Sequence, residues 1–264
     1  MYMHIIFCTY TAVLKDVAIH GLPSSRKSVR THRNGPGKLA VTAFFVALLT
    51  GCEGGVDERI RHVHRLAIHP TDANKSRIEA MLKDPDRDVR ATALVVMEGT
   101  DRERAKRMAA AALDDADELV RAAAVPISGQ DADDDMIRRL AAKSRSDTAW
   151  QVRARCLAAI ARSDDPAVYE AYALALSDEA FQVRSAALAA GLNRPGLLPT
   201  DRVVELLAGD PAWENRTEAA RALGVSQDPG AYPGLDAALS DPNEFVRATA
   251  ARERQTLERS GVAR

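Results

Sequence analysis

The sequence has 264 residues, 46% of them hydrophobic, 28% charged and only 5% aromatic. This excludes a disordered chain and disfavours a sheet sandwich, because alanine, leucine and valine must build the interior and these suit closely packed helices. A formal charge of −1 excludes the basic footprint of a nucleic-acid binder.

In chain order, the charge is uneven. Residues 1–51 carry Lys15, Arg26, Lys27, Arg30, Arg33 and Lys38 against Asp16 alone, which leaves 30 bases and 36 acids beyond them. Lys38 leads into an apolar run over residues 39–49. That run is shorter than the roughly 20 residues of a membrane-crossing helix, and it has the length of a signal-peptide core. It closes on Leu49, Thr50, Gly51 and Cys52, and here the chain resembles the lipobox of bacterial lipoproteins. The resemblance implies that the Cys52 sulfur receives a diacylglyceryl group, that cleavage falls just before it, and that the new amino terminus is acylated. Small Thr50 and Gly51 let a protease approach the bond. Several acyl chains, at ~0.8 kcal/mol per buried methylene, hold a protein where one would not. The basic region ahead of the apolar run is longer than such signals carry, so the expected start lies downstream of residues 1–28, at Val29 through an alternative start codon. Glu53 replaces the aspartate that retains Gram-negative lipoproteins in the inner membrane, which implies the outer membrane, facing the periplasm. The expected division is a signal over 1–51, a tether over 52–56 and a folded domain over 57–264. Of the three cysteines, Cys8 leaves with the signal and Cys52 is lipidated, so Cys156 has no partner for an intrachain disulfide.

Beyond the tether the chain repeats itself. Val89-Arg90, Val120-Arg121, Val152-Arg153, Val183-Arg184, Asn215-Arg216 and Val246-Arg247 align, with arginines 31 or 32 residues apart throughout. Three residues after each arginine stands a small side chain: Ala93, Ala124, Cys156, Ala187, Ala219 or Ala250. About six before stands an aspartate: Asp84, Asp115, Asp147, Asp178, Asp210 or Asp241. Each unit reads as two helices. The first covers segments such as 76–82, 102–113, 136–142, 167–176 and 202–207, apolar at helical spacing. The second carries the valine, the arginine and the small residue. Asp84-Pro85, Asp210-Pro211 and Asp241-Pro242 are expected to cap second helices with proline at the first helical position, and Gly99, Gly129, Gly191 and Gly224 to stop them. Pro126 should kink or shorten its helix. The pattern resembles HEAT-like repeats of the phycobilisome-lyase type over residues 57–264, and Ile60-Arg61 with His64 resembles a degenerate seventh copy acting as a cap. The resemblance implies an all-α, right-handed α-α superhelix, a HEAT/armadillo-like solenoid of about six hairpins plus an N-terminal capping helix. One hairpin cannot bury its apolar stripe alone, so neighbours cover one another. Cys156 then belongs to the interior, and Arg90, Arg121, Arg153, Arg184, Arg216 and Arg247 form a ladder tied to turn aspartates or carbonyls of adjacent units.

Catalytic chemistry has little to stand on. All six histidines fall before residue 70. Deoxyhypusine hydroxylase, an enzyme built from HEAT repeats, holds two irons with histidine-glutamate pairs inside the repeats, and this chain lacks those pairs. His62 and His64 point to different sides of a helix, so that with His69 they read as cap residues and no metal is expected. Asp131, Asp133, Asp134 and Asp135 lack the glycine and distal glutamate of a calcium loop and read as capping residues. No cofactor is implied. One surface pattern remains: three residues before the arginine, Trp150, Phe181 and Trp213 occupy successive repeats, where Arg87, Glu118 and Glu244 stand in the outer ones. Such residues commonly pack over the turn between repeats, and their exposed parts would bind a partner. The expected function is a membrane-anchored, non-catalytic scaffold presenting this surface to an envelope protein, with no nucleic acid involved. The alternatives are an enzyme on the same scaffold, a chromophore lyase or a DNA glycosylase, and a structural spacer without a specific partner.

Overall fold

The computed structural model describes residues 55–263. Leu49, Thr50, Gly51 and Cys52, and hence the signal and lipidation site, lie outside them. The described residues fall in a unit spanning 54–264 and contain helices and no strand. The capping helix α1 (Val56–Ile68) comes first, followed by six hairpins. The first two hairpins are α2 (Asp72–Ala80, prolonged by a 3-10 turn) with α3 (Arg87–Thr100), and α4 (Arg102–Ala112) with α5 (Glu118–Ser128). Next come α6 (Asp134–Ser146) with α7 (Trp150–Ile160), and α8 (Pro166–Ala175) with α9 (Phe181–Asn193). The last two are α10 (Thr200–Gly209) with α11 (Trp213–Val225), and α12 (Ala231–Ala238) with α13 (Glu244–Arg259). Every second helix packs on the next, from α1 through α3, α5, α7, α9 and α11 to α13. This is an α-solenoid, as the period implied.

The small residues explain the close stacking. Ala93, Ala124, Cys156, Ala187, Ala219 and Ala250 are all fully buried between helices. Burial raises the Cys156 thiol to about 12, so it stays protonated at neutral pH and behaves as a small apolar group. Tyr172 is fully buried in α8 and donates its hydroxyl to the Leu157 carbonyl at 2.7 Å. Burial pushes this phenol upward too.

Several local expectations need correction. Asp84, Asp210 and Asp241 are not N-caps. The caps are Asp86, Ala212 and Asn243, and the prolines sit in the turn ahead of them. Pro166 does open a helix, α8, behind an Asp165 cap that the sequence reading did not single out. Gly99, Gly191 and Gly224 lie inside the last turns of their helices, and only Gly129 is a C-cap, with φ of −78°. Close packing accounts for Gly129, because a Cβ there would stand 2.8 Å from the Cβ of Ala159. Gly191 and Gly224 face Leu198 and Glu253 in the same way.

The seventh copy has a different register. Arg59, not Arg61, reaches Asp84, with Nε to Oδ2 at 2.9 Å. That sets it 31 residues before Arg90, in step with the series. Pro126 lies in the final turn of α5. Lacking an N–H, it leaves the Ala122 carbonyl without its helical donor, and Arg155 from α7 supplies one at 3.1 Å. Asn215, in the valine column, is 1% exposed. Its amide donates to the Phe181 carbonyl at 3.2 Å and to Asp210 at 3.1 Å.

Candidate partner-binding edge

The turns before the second helices are held by one repeated device. Arg90 grips Asp115 with Nε and Nη2, both at 2.8 Å. Its Nη1 meanwhile donates to the carbonyls of Asp84 and Pro85 in its own turn. Arg121 on Asp147, Arg153 on Asp178, Arg184 on Asp210 and Arg216 on Asp241 repeat the two-point grip at 2.6–3.0 Å. Each gripped aspartate also accepts the N–H two residues on, as Asp147 does from Ala149 at 3.0 Å. Arg247 holds the carbonyls of Asp241 and Pro242, and no carboxylate among the described residues reaches it. Burial is the largest single influence on Asp115, Asp147 and Asp210 and pushes their carboxyls up. The arginine bonds, the backbone N–H and the nearby guanidinium charge together outweigh it and leave all three below the usual carboxylate range. Asp241 is lowered first by its Arg216 bond. The aspartate bonds raise Arg90, Arg121, Arg153, Arg184 and Arg216 above their ordinary value. The arginines are consumed internally as structural rungs.

These clamped turns fix the starts of the second helices, and hence Trp150, Phe181 and Trp213, the first residues of α7, α9 and α11. Their residues are 38%, 49% and 39% exposed. Sequence reasoning missed a fourth member, Phe245, which is 58% exposed and stacks on Trp213 with ring centroids 5.4 Å apart and planes at 29°. It sits one position later in its helix, so it falls outside the aligned aromatic column.

A second feature of the edge was also missed. Helices α3, α5 and α13 are capped by Asp86, Asp117 and Asn243, whose side chains accept first-turn N–H groups. The aromatic helices α7, α9 and α11 have Ala149, Ala180 and Ala212 at that position, and no side chain caps them. A cap contributes ~1 kcal/mol, so three consecutive repeats forgo it where the aromatics stand. The signal was present as alanine before each aromatic residue. Exposed acids border the edge at Glu118, Glu179, Glu214 and Glu244. Arg87 and Arg247 are exposed bases there; Arg87 turns to Asp88 and Asp117, and Arg247 to the carbonyls of Asp241 and Pro242.

Elsewhere, Asp131 pairs with Arg102 at 2.7 Å, Asp133 caps α6 and Asp135 pairs with Arg138. No group of three histidine, cysteine, aspartate or glutamate side chains able to hold a metal occurs among the described residues. No helix among them is long and apolar enough to cross a membrane.

The HEAT-repeat family profile matches residues 200–259, which hold α10 to α13 up to its last residue. Those hairpins are similar to HEAT repeats. Escherichia coli YibA has a similar fold over 75% of this chain and 76% of its own, with a TM-score of 0.53 and 20% identity. A HEAT-like repeat protein of the archaeon Thermococcus onnurineus is matched over 87% of this chain and all of its own length, at a TM-score of 0.49 and 14% identity. Human deoxyhypusine hydroxylase is matched over 83% of this chain and 96% of its own, at a TM-score of 0.37 and 18% identity. At 20% identity the likeness to YibA is one of fold. No curated protein sequence matches the chain. The stacked hairpins form a repeat scaffold whose turns carry an exposed aromatic edge.

Proposed function

We propose that this chain is a non-catalytic scaffold of the bacterial cell envelope, anchored through lipid on Cys52, which holds an envelope protein along the edge of Trp150, Phe181, Trp213 and Phe245. The carrying observation is the coincidence of the exposed rings of Trp150, Phe181 and Trp213 with the three second-helix starts that lack capping side chains, with Phe245 added from the capped start of α13. Capping stabilises a helix and exposed aromatic surface costs solvation, so both features run against stability and favour a surface meant to be covered. Large aromatic residues anchor protein interfaces because they bury much area at little entropic cost. For the anchor, support comes from the order of basic flank, apolar core and Leu49-Thr50-Gly51-Cys52.

Crosslinking in intact cells with Trp150→Ala and Trp213→Ala combined tests the edge. Recovery of the principal envelope partner should fall about tenfold or more while helical content is unchanged. Unchanged recovery from a folded variant rejects the edge. Cys52→Ala should move the protein from the membrane to the soluble fraction and abolish lipid labelling, and retention of either defeats the anchor.

A further inference from the structure

We infer that the occupant of this edge is an extended polyproline-II segment with lysine or arginine between its apolar residues. The inference rests on the reading of the edge as a partner surface and adds the chemistry of what lies there. Three observations converge on it: spacing, backbone donors and charge.

Helices α7, α9 and α11 pack directly on one another, and packed helices lie about 8–10 Å apart. Trp150, Phe181 and Trp213 hold the same first position of these helices, so the positions that bear these rings recur at about that interval, while Phe245, one position later in α13, lies 5.4 Å from the Trp213 ring and widens that subsite. A polyproline-II helix returns a side chain to the same side every third residue, roughly 9 Å on. A strand does so about every 6.7 Å, out of step with the edge. An α-helix could match over two turns of about 5.4 Å each, and the backbone decides against it. With α7, α9 and α11 uncapped, the first-turn N–H groups of Gln151, Gln182 and Glu214 offer donors along the edge. A polyproline-II chain has all its carbonyls free to accept them, whereas an α-helix spends its own internally. The charge of the edge completes the match. Glu118, Glu214 and Glu244 are exposed and make no ion pair among the described residues, and Glu179 is 88% exposed at its side chain. A basic segment neutralises this row and an acidic one is repelled.

The full chain carries its own reporter, since its two tryptophans are Trp150 and Trp213. Their emission can be titrated with a peptide of repeated Pro-Pro-Lys triplets, with Gly-Gly-Lys and Pro-Pro-Glu peptides of equal length as comparisons. Pro-Pro-Lys should give a saturable change, with Gly-Gly-Lys weaker by about tenfold and Pro-Pro-Glu without effect. Glu214→Gln with Glu244→Gln should weaken Pro-Pro-Lys binding about tenfold at low salt and flatten its salt dependence. Phe181→Ala should weaken it at every salt concentration. Ala180→Ser adds a neutral cap, so it strengthens the fold, covers the Gln182 N–H without changing the charge of the edge, and should still reduce affinity. Equal affinity for Gly-Gly-Lys, or no saturable change, overturns the inference. If the peptides fail while the double tryptophan variant still loses its crosslinked partner, the polyproline chemistry is wrong and the edge stands. If the crosslinked partner also persists, both are wrong.

Discussion

The arginine rungs are the residues on which most depends, and they differ in a way that can be measured. The Arg153 side chain is 7% exposed and its partner Asp178 12%. Arg153→Ala strands that carboxylate and frees two turn carbonyls, and should cost about 2–3 kcal/mol in chemical denaturation, a figure below that of a fully dry pair because solvent still reaches it. Arg247→Ala removes only carbonyl contacts at an exposed site and should stay within about 1 kcal/mol. Acid gives a second test. The carboxyls of Asp115, Asp147, Asp210 and Asp241 titrate below the usual range when folded. Their contribution is therefore complete above the unfolded value of about 4 and is lost as pH falls through the lower folded values. Thermal stability should be level from about pH 8 to 5 and decline below about pH 4, less steeply in Asp147→Asn. The ladder was legible in the sequence because arginine and aspartate recur in phase. The Arg59 rung was not, because Glu58 stands in the valine column and a neighbouring Ile60-Arg61 mimics the motif.

Helices supply a sharper lesson about what a pattern conceals. Periodicity gave the hairpins, but proline and glycine were read by their commonest roles, and the turns use them differently. The gripped aspartate already organises each turn, so the cap moves to the residue after the proline. Gly129 and Gly224 answer to a neighbouring helix and Gly191 to Leu198 in the turn that follows it, none of which a local pattern reveals. Pro126 is a case where sequence foresaw the break and not its repair. Arg155→Ala should cost about 1–2 kcal/mol by orphaning the Ala122 carbonyl. In a Pro126→Ala background, where that carbonyl regains an N–H, the cost should largely vanish, and a double-mutant cycle by urea denaturation measures this coupling. Capping gives the opposite trade. Ala180→Ser and Ala212→Ser should each raise stability by ~1 kcal/mol, even as the first reduces peptide affinity. The exposure of the aromatic edge was not legible, because sequence fixes the column in which a ring stands and not how far its neighbour covers it.

At the scale of the molecule, stability is a sum over units and the contacts between neighbours. Hydrogen exchange should therefore be slowest in α7 and α9, flanked on both sides, and fastest in α1 and α13, and equal protection throughout would contradict a linear stack. The number of hairpins and the capping helix were readable from the 31- and 32-residue spacing of the arginines. Each guanidinium from Arg90 to Arg216 binds its own turn and the next one, so a rung belongs jointly to two hairpins. That makes length a quantised property. Excising residues 154–184 joins Arg153 to Ser185 and hands it Asp210 as its new carboxylate, so a shorter protein with every bond of the ladder re-formed should fold. Removing a stretch a few residues longer or shorter leaves one guanidinium facing no acid and should not. Such a chain can grow or shrink through its history by whole modules, while the rings on its rim are added or lost independently of the grammar that joins them.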